Sequence, residues 1–158
     1  GRMADKTNVM RVLDQKKIAY RVLGYEGTEA LPGEEAARLL GVSPERMFKT
    51  LVTVGKSGAN YVFAVPVCRE LDLKKAAAAV GEKNIEMLKS KELLPLTGYV
   101  HGGCSPIGMK KYFRTVFDAS ARTQERIIFS GGRIAHFVEL APADAEKAVR
   151  LEYADLTV

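Results

Sequence analysis

The residues best suited to chemistry lie in one stretch, Gly102-Gly103-Cys104-Ser105-Pro106-Ile107-Gly108. Glycines at this density let the main chain approach a ligand closely and leave N–H groups facing a concavity. Such a nest suits an oxyanion or a polarised ester carbonyl. The same spacing also fits an ordinary tight loop between a helix and a strand. It is neither a phosphate-binding P-loop, lacking the order Gly-x4-Gly-Lys-Ser/Thr, nor the dinucleotide fingerprint. A second glycine pair follows the apolar run Ile127-Ile128-Phe129, in Ser130-Gly131-Gly132. Alone it reads as a hairpin turn. If the two glycine pairs converge, they form two walls of one small pocket.

Lys49 stands between Phe48 and Thr50-Leu51-Val52, where a helix is expected to pass into a strand. It either snorkels to solvent or carries a cation to a pocket edge. The pairs Lys74-Lys75 and Lys110-Lys111 read as a solvated face, or as point charges able to meet phosphates. A nucleophile is harder to find. Ser105 has no evident histidine and carboxylate partners, and no Gly-x-Ser-x-Gly elbow occurs. Cys104 follows His101 by three residues, a thiol–imidazole pair on paper, yet a loop cysteine more often packs as a small apolar side chain. Asp118 and Glu139 lie in strand-like segments, where they satisfy backbone or lysine partners as readily as they act as bases. Cys68, Cys104, His101 and His136 show no metal-ligand spacing, so neither metal nor cofactor is expected. The residues alone describe a binding pocket with an anion-friendly floor and no self-evident catalytic group.

The elements around these residues follow from pattern and punctuation. The segment from Thr7 to Lys17 puts Val9, Val12 and Leu13 on one helical face, with Thr7 or Asn8 as the cap. Ile18–Leu23 alternates as a strand, and the stretch from Gly24 to Gly33 reads as loop. A helix is expected from about Glu34 to Leu40, stopped by Gly41. Another is expected in Val42–Lys49, with Ser43 capping and Pro44 in the first turn. Strands over 49–54 and 60–67 flank the turn Gly55–Ala59. Leu71–Gly81 is a Lys/Ala helix, and Ser90 is expected to cap a short helix interrupted at Pro95. Strands follow in 115–120, 126–132 and 135–140, and Pro142 opens a final helix. The chain has 158 residues, 47% hydrophobic and 27% charged, which excludes disorder, collagen and disulfide-scaffold classes. Gly1-Arg2-Met3 reads as an expression remnant and start, and 4–158 as a single compact α+β domain, with helices around a mixed or mostly antiparallel sheet. No apolar run approaches the roughly 18 residues of a membrane span, and no secretory pattern opens the chain, so a reducing cytoplasm is expected. With 24 Lys and Arg against 19 Asp and Glu, the net charge of +5 is compatible with a polyanionic partner.

Taken in order, Phe48-Lys49-Thr50-Leu51, Leu71-Asp72-Leu73-Lys74-Lys75, Thr97-Gly98-Tyr99, Gly102-Gly103, Ser105-Pro106, Gly108, Lys110-Lys111, Asp118 and Ser130-Gly131-Gly132 resemble the YbaK/EbsC family. Its members are free-standing relatives of the editing domain inserted in bacterial prolyl-tRNA synthetase, and within the family the likeness is to Cys-tRNA(Pro) deacylases. The match runs from about Thr7 to Ala154. The resemblance implies hydrolysis of the ester joining a wrong amino acid to the terminal adenosine of tRNA(Pro), a second sieve for a synthetase that cannot fully exclude cysteine. It implies that the substrate's own thiol attacks its ester carbonyl, giving a thiolactone and free tRNA. In that scheme the amides near Gly102 and Gly103 stabilise the carbonyl oxygen, and Lys49 holds the terminal adenosine or the aminoacyl group. Tyr25, Thr50, Ser105, Ser130 and Gly131 bind substrate. The implied partners are the tRNA(Pro) acceptor end and, through a family habit invisible in the residues, prolyl-tRNA synthetase. Two departures stand out: Leu31-Pro32 where the family has an aromatic residue, and Phe137 where an acidic residue faces the site. In-class alternatives are water-based deacylation of alanyl, seryl or threonyl esters. A non-catalytic module that binds tRNA ends or the synthetase is the alternative from another class.

Overall fold

Helices and strands interleave in the computed structural model, which describes residues 5–158; the expectation for Gly1–Met3 lies outside them. Helix α1 (Asn8–Gln15) starts where expected, because the Thr7 hydroxyl accepts the Met10 N–H. Strand β1 is confined to Arg21–Gly24. It starts later than expected because Ile18 turns inward to close α1, its N–H bonded to the Leu13 carbonyl. Helix α2 (Gly33–Leu40) ends at Gly41 as read. The helix expected from Ser43-Pro44 is absent. Ser43 instead accepts the Glu45 N–H in a tight turn. Arg46 and Met47 are then pulled out straight: the Ile128 N–H donates to the Arg46 carbonyl, the Val67 N–H to that of Met47, and Met47 bridges Ile128. These sheet contacts override the local helix preference of Ser-Pro-Glu-Arg.

Strands β2 (Phe48–Gly55) and β3 (Asn60–Pro66) form the expected hairpin. Helix α3 (Leu73–Val80) is capped by Asp72, whose carboxylate accepts the Lys74 and Lys75 N–H groups. A three-residue strand, β4 (Ile85–Met87), was not expected. Helix α4 (Ser90–Thr97) is capped by Lys89 rather than Ser90, and Pro95 sits inside it. Then come β5 (Arg114–Asp118), a 3-10 turn (Ala119–Thr123), β6 (Ile127–Arg133), β7 (His136–Leu140), α5 (Pro142–Ala148) and the short β8 (Glu152–Ala154). Ser130-Gly131-Gly132 is not the hairpin turn itself. It is a bulge within β6, the register shifting between Ser130 and Arg133, and the chain reverses afterwards.

The α+β class is as expected, with the strands divided between two sheets. One is antiparallel, in the order β1-β7-β6; the other is mixed, in the order β4-β2-β3-β5-β8, with the β3–β5 and β5–β8 pairs parallel. The largest core joins α1 (Val9, Leu13) to Val62 and Ala64 of β3, Phe117 of β5, Phe129 of β6 and Val138 of β7. Alternate residues face other helices: Phe63 and Val65 pack on α3, while Ile128 and Phe137 pack on Ala36 and Ala37 of α2. Both sheets are therefore covered on both faces, which is why β3 reads as an unbroken apolar run. Among the described residues no helix is long and apolar enough to cross a membrane.

Candidate active site

A cavity of about 440 Å³ opens where the two sheets meet, within the range of small-ligand sites. One wall is β2, from Phe48 to Val52. A second is the start of α2 with Tyr25 and Leu31, and a third is Ser130 of β6 with Phe137 of β7. His101, Gly102 and Cys104 close it on the glycine-loop side. Only Gly102 and Ser130 of the two glycine stretches reach this cavity, so the expected pair of glycine walls does not form, and the glycine loop packs instead on the chain just after the second pair. A side chain at Gly103 would lie 3.0 Å from the Ile134 nitrogen, and one at Gly102 would collide with the Ala30 Cβ and lie 3.6 Å from the Ile134 Cγ1. Gly102 also sits at φ 85°, so both its conformation and its space require glycine.

Of the residues singled out in the sequence, Lys49, Gly102, Tyr25, Thr50 and Ser130 line this cavity. Gly103, Ser105 and Gly131 do not. The Gly103 N–H donates to the Val100 carbonyl at 3.0 Å, so the expected pair of free loop amides reduces to Gly102, whose N–H has no acceptor among the described residues. Ser105 is fully buried and its hydroxyl accepts the Ile107 N–H, shaping the loop from behind. Gly131 backs onto the β6–β7 pairing, with the His136 carbonyl 3.3 Å from where its Cβ would be.

The polar groups in the cavity differ in how free they are. Lys49 is held loosely: its Nζ lies 3.6 Å from Oε1 of Glu70, whose side chain is 83% exposed. Such a pair is weak and solvent-screened, leaving the ammonium available to a ligand. The Thr50 hydroxyl is buried with no hydrogen-bond partner among the described residues. Ser130 Oγ accepts the Gly132 N–H across the bulge and keeps its own proton to donate. Tyr25 uses its hydroxyl to tie down the neighbouring loop, donating to the Glu29 carbonyl and accepting the Leu31 N–H, while its ring lies 6.2 Å from that of Phe137.

No nucleophile emerges. Burial pushes the Cys104 thiol up to about 12, the opposite of the depressed value an activated thiolate needs. Asp118 accepts the Ser120 and Leu156 N–H groups as a structural anchor. Glu139 is bonded to Arg21 and Arg46 away from the cavity. Among the described residues no group of three or more His, Cys, Asp or Glu side chains is arranged to hold a metal ion. Lys75 is bonded to Asp155 and to the Thr157 carbonyl, and Lys110 to the Pro95 carbonyl, so both serve the fold. Met47, Val67 and Leu93 also line the cavity, and nothing in their type or spacing distinguished them from ordinary core.

Residues 29–148 match the family model of the aminoacyl-tRNA editing domain. The chain belongs to that family. It is 43% identical, over 96% of its length and 93% of the relative's, to EbsC of Enterococcus faecalis, which is assigned as a Cys-tRNA(Pro)/Cys-tRNA(Cys) deacylase. It also matches the proline–tRNA ligase of Thermosipho melanesiensis, 28% identical over 79% of this chain but only 22% of that longer enzyme. Among solved structures, one described as a trans-editing enzyme for prolyl tRNA synthetase superposes with a TM-score of 0.84 at 25% identity, covering 96% of this chain and 95% of the other. The cavity between the sheets is the recess that gathers the most of the residues singled out in the sequence.

Proposed function

We propose that the chain is a trans-editing aminoacyl-tRNA deacylase that removes cysteine from mischarged tRNA(Pro), in the compartment where tRNA is charged. The observation that carries this reading is a cavity with binding groups but no nucleophile. Lys49, Thr50 and Ser130 line it, the Thr50 hydroxyl has no partner among the described residues, and the one cysteine lining it is held protonated. A site of this kind suits a substrate that brings its own attacking group.

In the reaction, the cysteinyl sulfur gives up its proton to solvent and attacks its own ester carbonyl carbon. A C–S bond forms, the bond from that carbon to the ribose oxygen breaks, and the ribose oxygen takes up a proton. The products are a thiolactone and free tRNA, and water then opens the thiolactone to cysteine. The protein's part is to hold the thiol against the carbonyl and to meet the charge that develops on the carbonyl oxygen. Gly102 supplies an N–H for that oxygen. Lys49 holds the terminal adenosine or the aminoacyl group through its ammonium. Thr50 and Ser130 contact the aminoacyl moiety, against the wall made by Tyr25 and Phe137. The apolar surface of Met47, Val67 and Phe137 favours a small, weakly polar side chain over a charged one.

The test is ester loss from Cys-, Ala-, Ser- and Thr-charged tRNA, with the wild-type protein and Lys49→Ala. Fast loss from Cys-tRNA(Pro) that depends on Lys49 supports the reading. Preference for the alanyl, seryl or threonyl ester replaces it with water-based editing. No acceleration of any ester leaves only a module that binds tRNA or synthetase.

A further inference from the structure

A second cleft, of about 780 Å³, lies on the same face of the β1-β7-β6 sheet. Phe137 and Glu139 are two apart on β7, and so are Ser130 and Ile128 on β6, so all four project to one side. Arg21 stands opposite Glu139 across the β1–β7 pair. The two recesses are neighbours along that face: Met47 and Phe137 line the first, while Arg46 and Glu139, one and two residues away, line the second.

Glu139 is 5% exposed. It accepts Nε of Arg21 at 3.0 Å and Nη1 of Arg46 at 2.8 Å. A carboxylate buried this deeply is tolerated only when paired and hydrogen-bonded. Here it holds two guanidiniums at once and leaves the trio with a positive charge. Arg126 and Gln124 complete the cleft, and Arg126 has no ion-pair partner among the described residues. Three arginines thus face two carboxylates, Glu139 and Glu125.

We infer that this cleft binds phosphodiester groups of an RNA strand whose terminal residue occupies the first cavity. Guanidinium forks match the geometry of phosphate oxygens, and each still has N–H donors beyond those given to Glu139. Glu139 fixes Arg21 and Arg46 in place, so little side-chain freedom is lost when an anion arrives. Helix α2 and the buried Met47 and Phe137 beneath it separate the two recesses. Gly33 at the start of α2 lines the first, and after α2 the turn at Ser43 brings the chain to Arg46 in the second. A strand leaving the first cavity therefore has only one helix and the Met47–Phe137 row to pass. This inference rests on the deacylase reading, and it assigns that activity a second foothold on its substrate.

The experiment uses fluorescence anisotropy with an uncharged RNA hairpin ending in a single-stranded 3′ tail, read for wild type, Arg126→Gln and Arg21→Gln/Arg126→Gln. Arg126 is exposed and the Arg21 side chain is 64% exposed, so both substitutions leave the core intact. The double variant is expected to weaken binding about tenfold at 0.1 M salt and to lower the log–log salt slope by about 1.4, roughly 0.7 for each single-strand phosphate that is no longer neutralised. A blunt hairpin should show no such difference. The double variant should also lower kcat/KM on charged tRNA while leaving the hydrolysis of a 3′-aminoacyl-adenosine ester unchanged. Unaltered RNA affinity overturns the inference, whether or not inorganic phosphate binds at the arginines. If wild type hydrolyses neither ester, the deacylase reading fails while the anisotropy result still decides the cleft.

Discussion

Thr50→Val separates stability from function at one atom. Thr50 lies in β2, opposite Ala64 of β3, and its hydroxyl is buried without a partner among the described residues. Valine has the same shape and suits a strand at least as well. An unsatisfied buried hydroxyl costs about 1–3 kcal/mol, so replacing it with a methyl group should stabilise the free protein by about 1 kcal/mol. For a domain of this length that raises Tm by about 2–4 °C. In the bound state the hydroxyl meets the aminoacyl group, and losing a net hydrogen bond of about 1 kcal/mol lowers kcat/KM about fivefold. Thr50→Ser, which keeps the hydroxyl and loses the methyl, should do the reverse, melting lower and cleaving nearly as well as wild type. Thermal melts and initial rates of ester loss on the same preparations read both effects. A lower Tm for Thr50→Val would mean the hydroxyl is already satisfied in the free protein, and an unchanged kcat/KM would mean it never touches substrate. Either result refutes the reasoning.

Cys104→Ala should retain deacylation within about threefold while losing about 1–2 kcal/mol of stability to the missing buried atom; rates and melts check both. Because burial raises the Cys104 thiol from 9.0 to about 12, its contribution to stability is complete below pH 9 and is lost as pH rises toward 12, a loss the alanine variant should lack in alkaline melts. For Glu139, burial works to raise the carboxyl, but Arg46 and then Arg21 outweigh it and hold it below its ordinary 4.5. Its contribution is therefore complete above pH 4.5 and falls away on further acidification. Glu139→Gln should flatten that acid limb and cost about 1–2 kcal/mol at pH 7, since the arginines it releases are partly solvated. Gly102→Ala should cost about 1–2 kcal/mol for its left-handed backbone alone, more once the Ala30 side chain is pushed aside, and should depress kcat further than melting shows.

Much of this architecture was legible because its elements carry their own punctuation. Thr7 caps α1, Gly41 ends α2, Gly81 ends α3 and Pro142 opens α5, each acting through neighbours a few residues away. What escaped notice depends on distant partners. Strands β4 and β8 are three residues long, too short to show a period, and exist because β2 and β5 offer them an edge. Ser43-Pro44 looks like a helix start until Ile128 and Val67 claim the carbonyls of Arg46 and Met47.

The site divides in the same way. Lys49 stood out as a cation beside an apolar run and the glycine stretches stood out by density, whereas Tyr25 and Thr50 came only through the family resemblance. Sequence spacing could not reveal that Gly103 donates to Val100, or that Ser105 and Gly131 face away from the cavity. Met47 and Val67 look like any core residues, and only the meeting of two sheets gives them a cavity to face. The arginines that gather on Glu139 are separated from it by up to 118 positions in the chain, and no local pattern announces them.

The central claim is that the cavity supplies position while the substrate supplies the sulfur. Its most direct test compares wild-type rates on tRNA(Pro) charged with cysteine and with 2-aminobutyrate, which has a methyl group in place of the thiol. The account predicts rapid release of cysteine through a trappable thiolactone, dependence of that release on Lys49, and an aminobutyryl ester that survives near its spontaneous rate. Equal release of both, with no thiolactone, would contradict it.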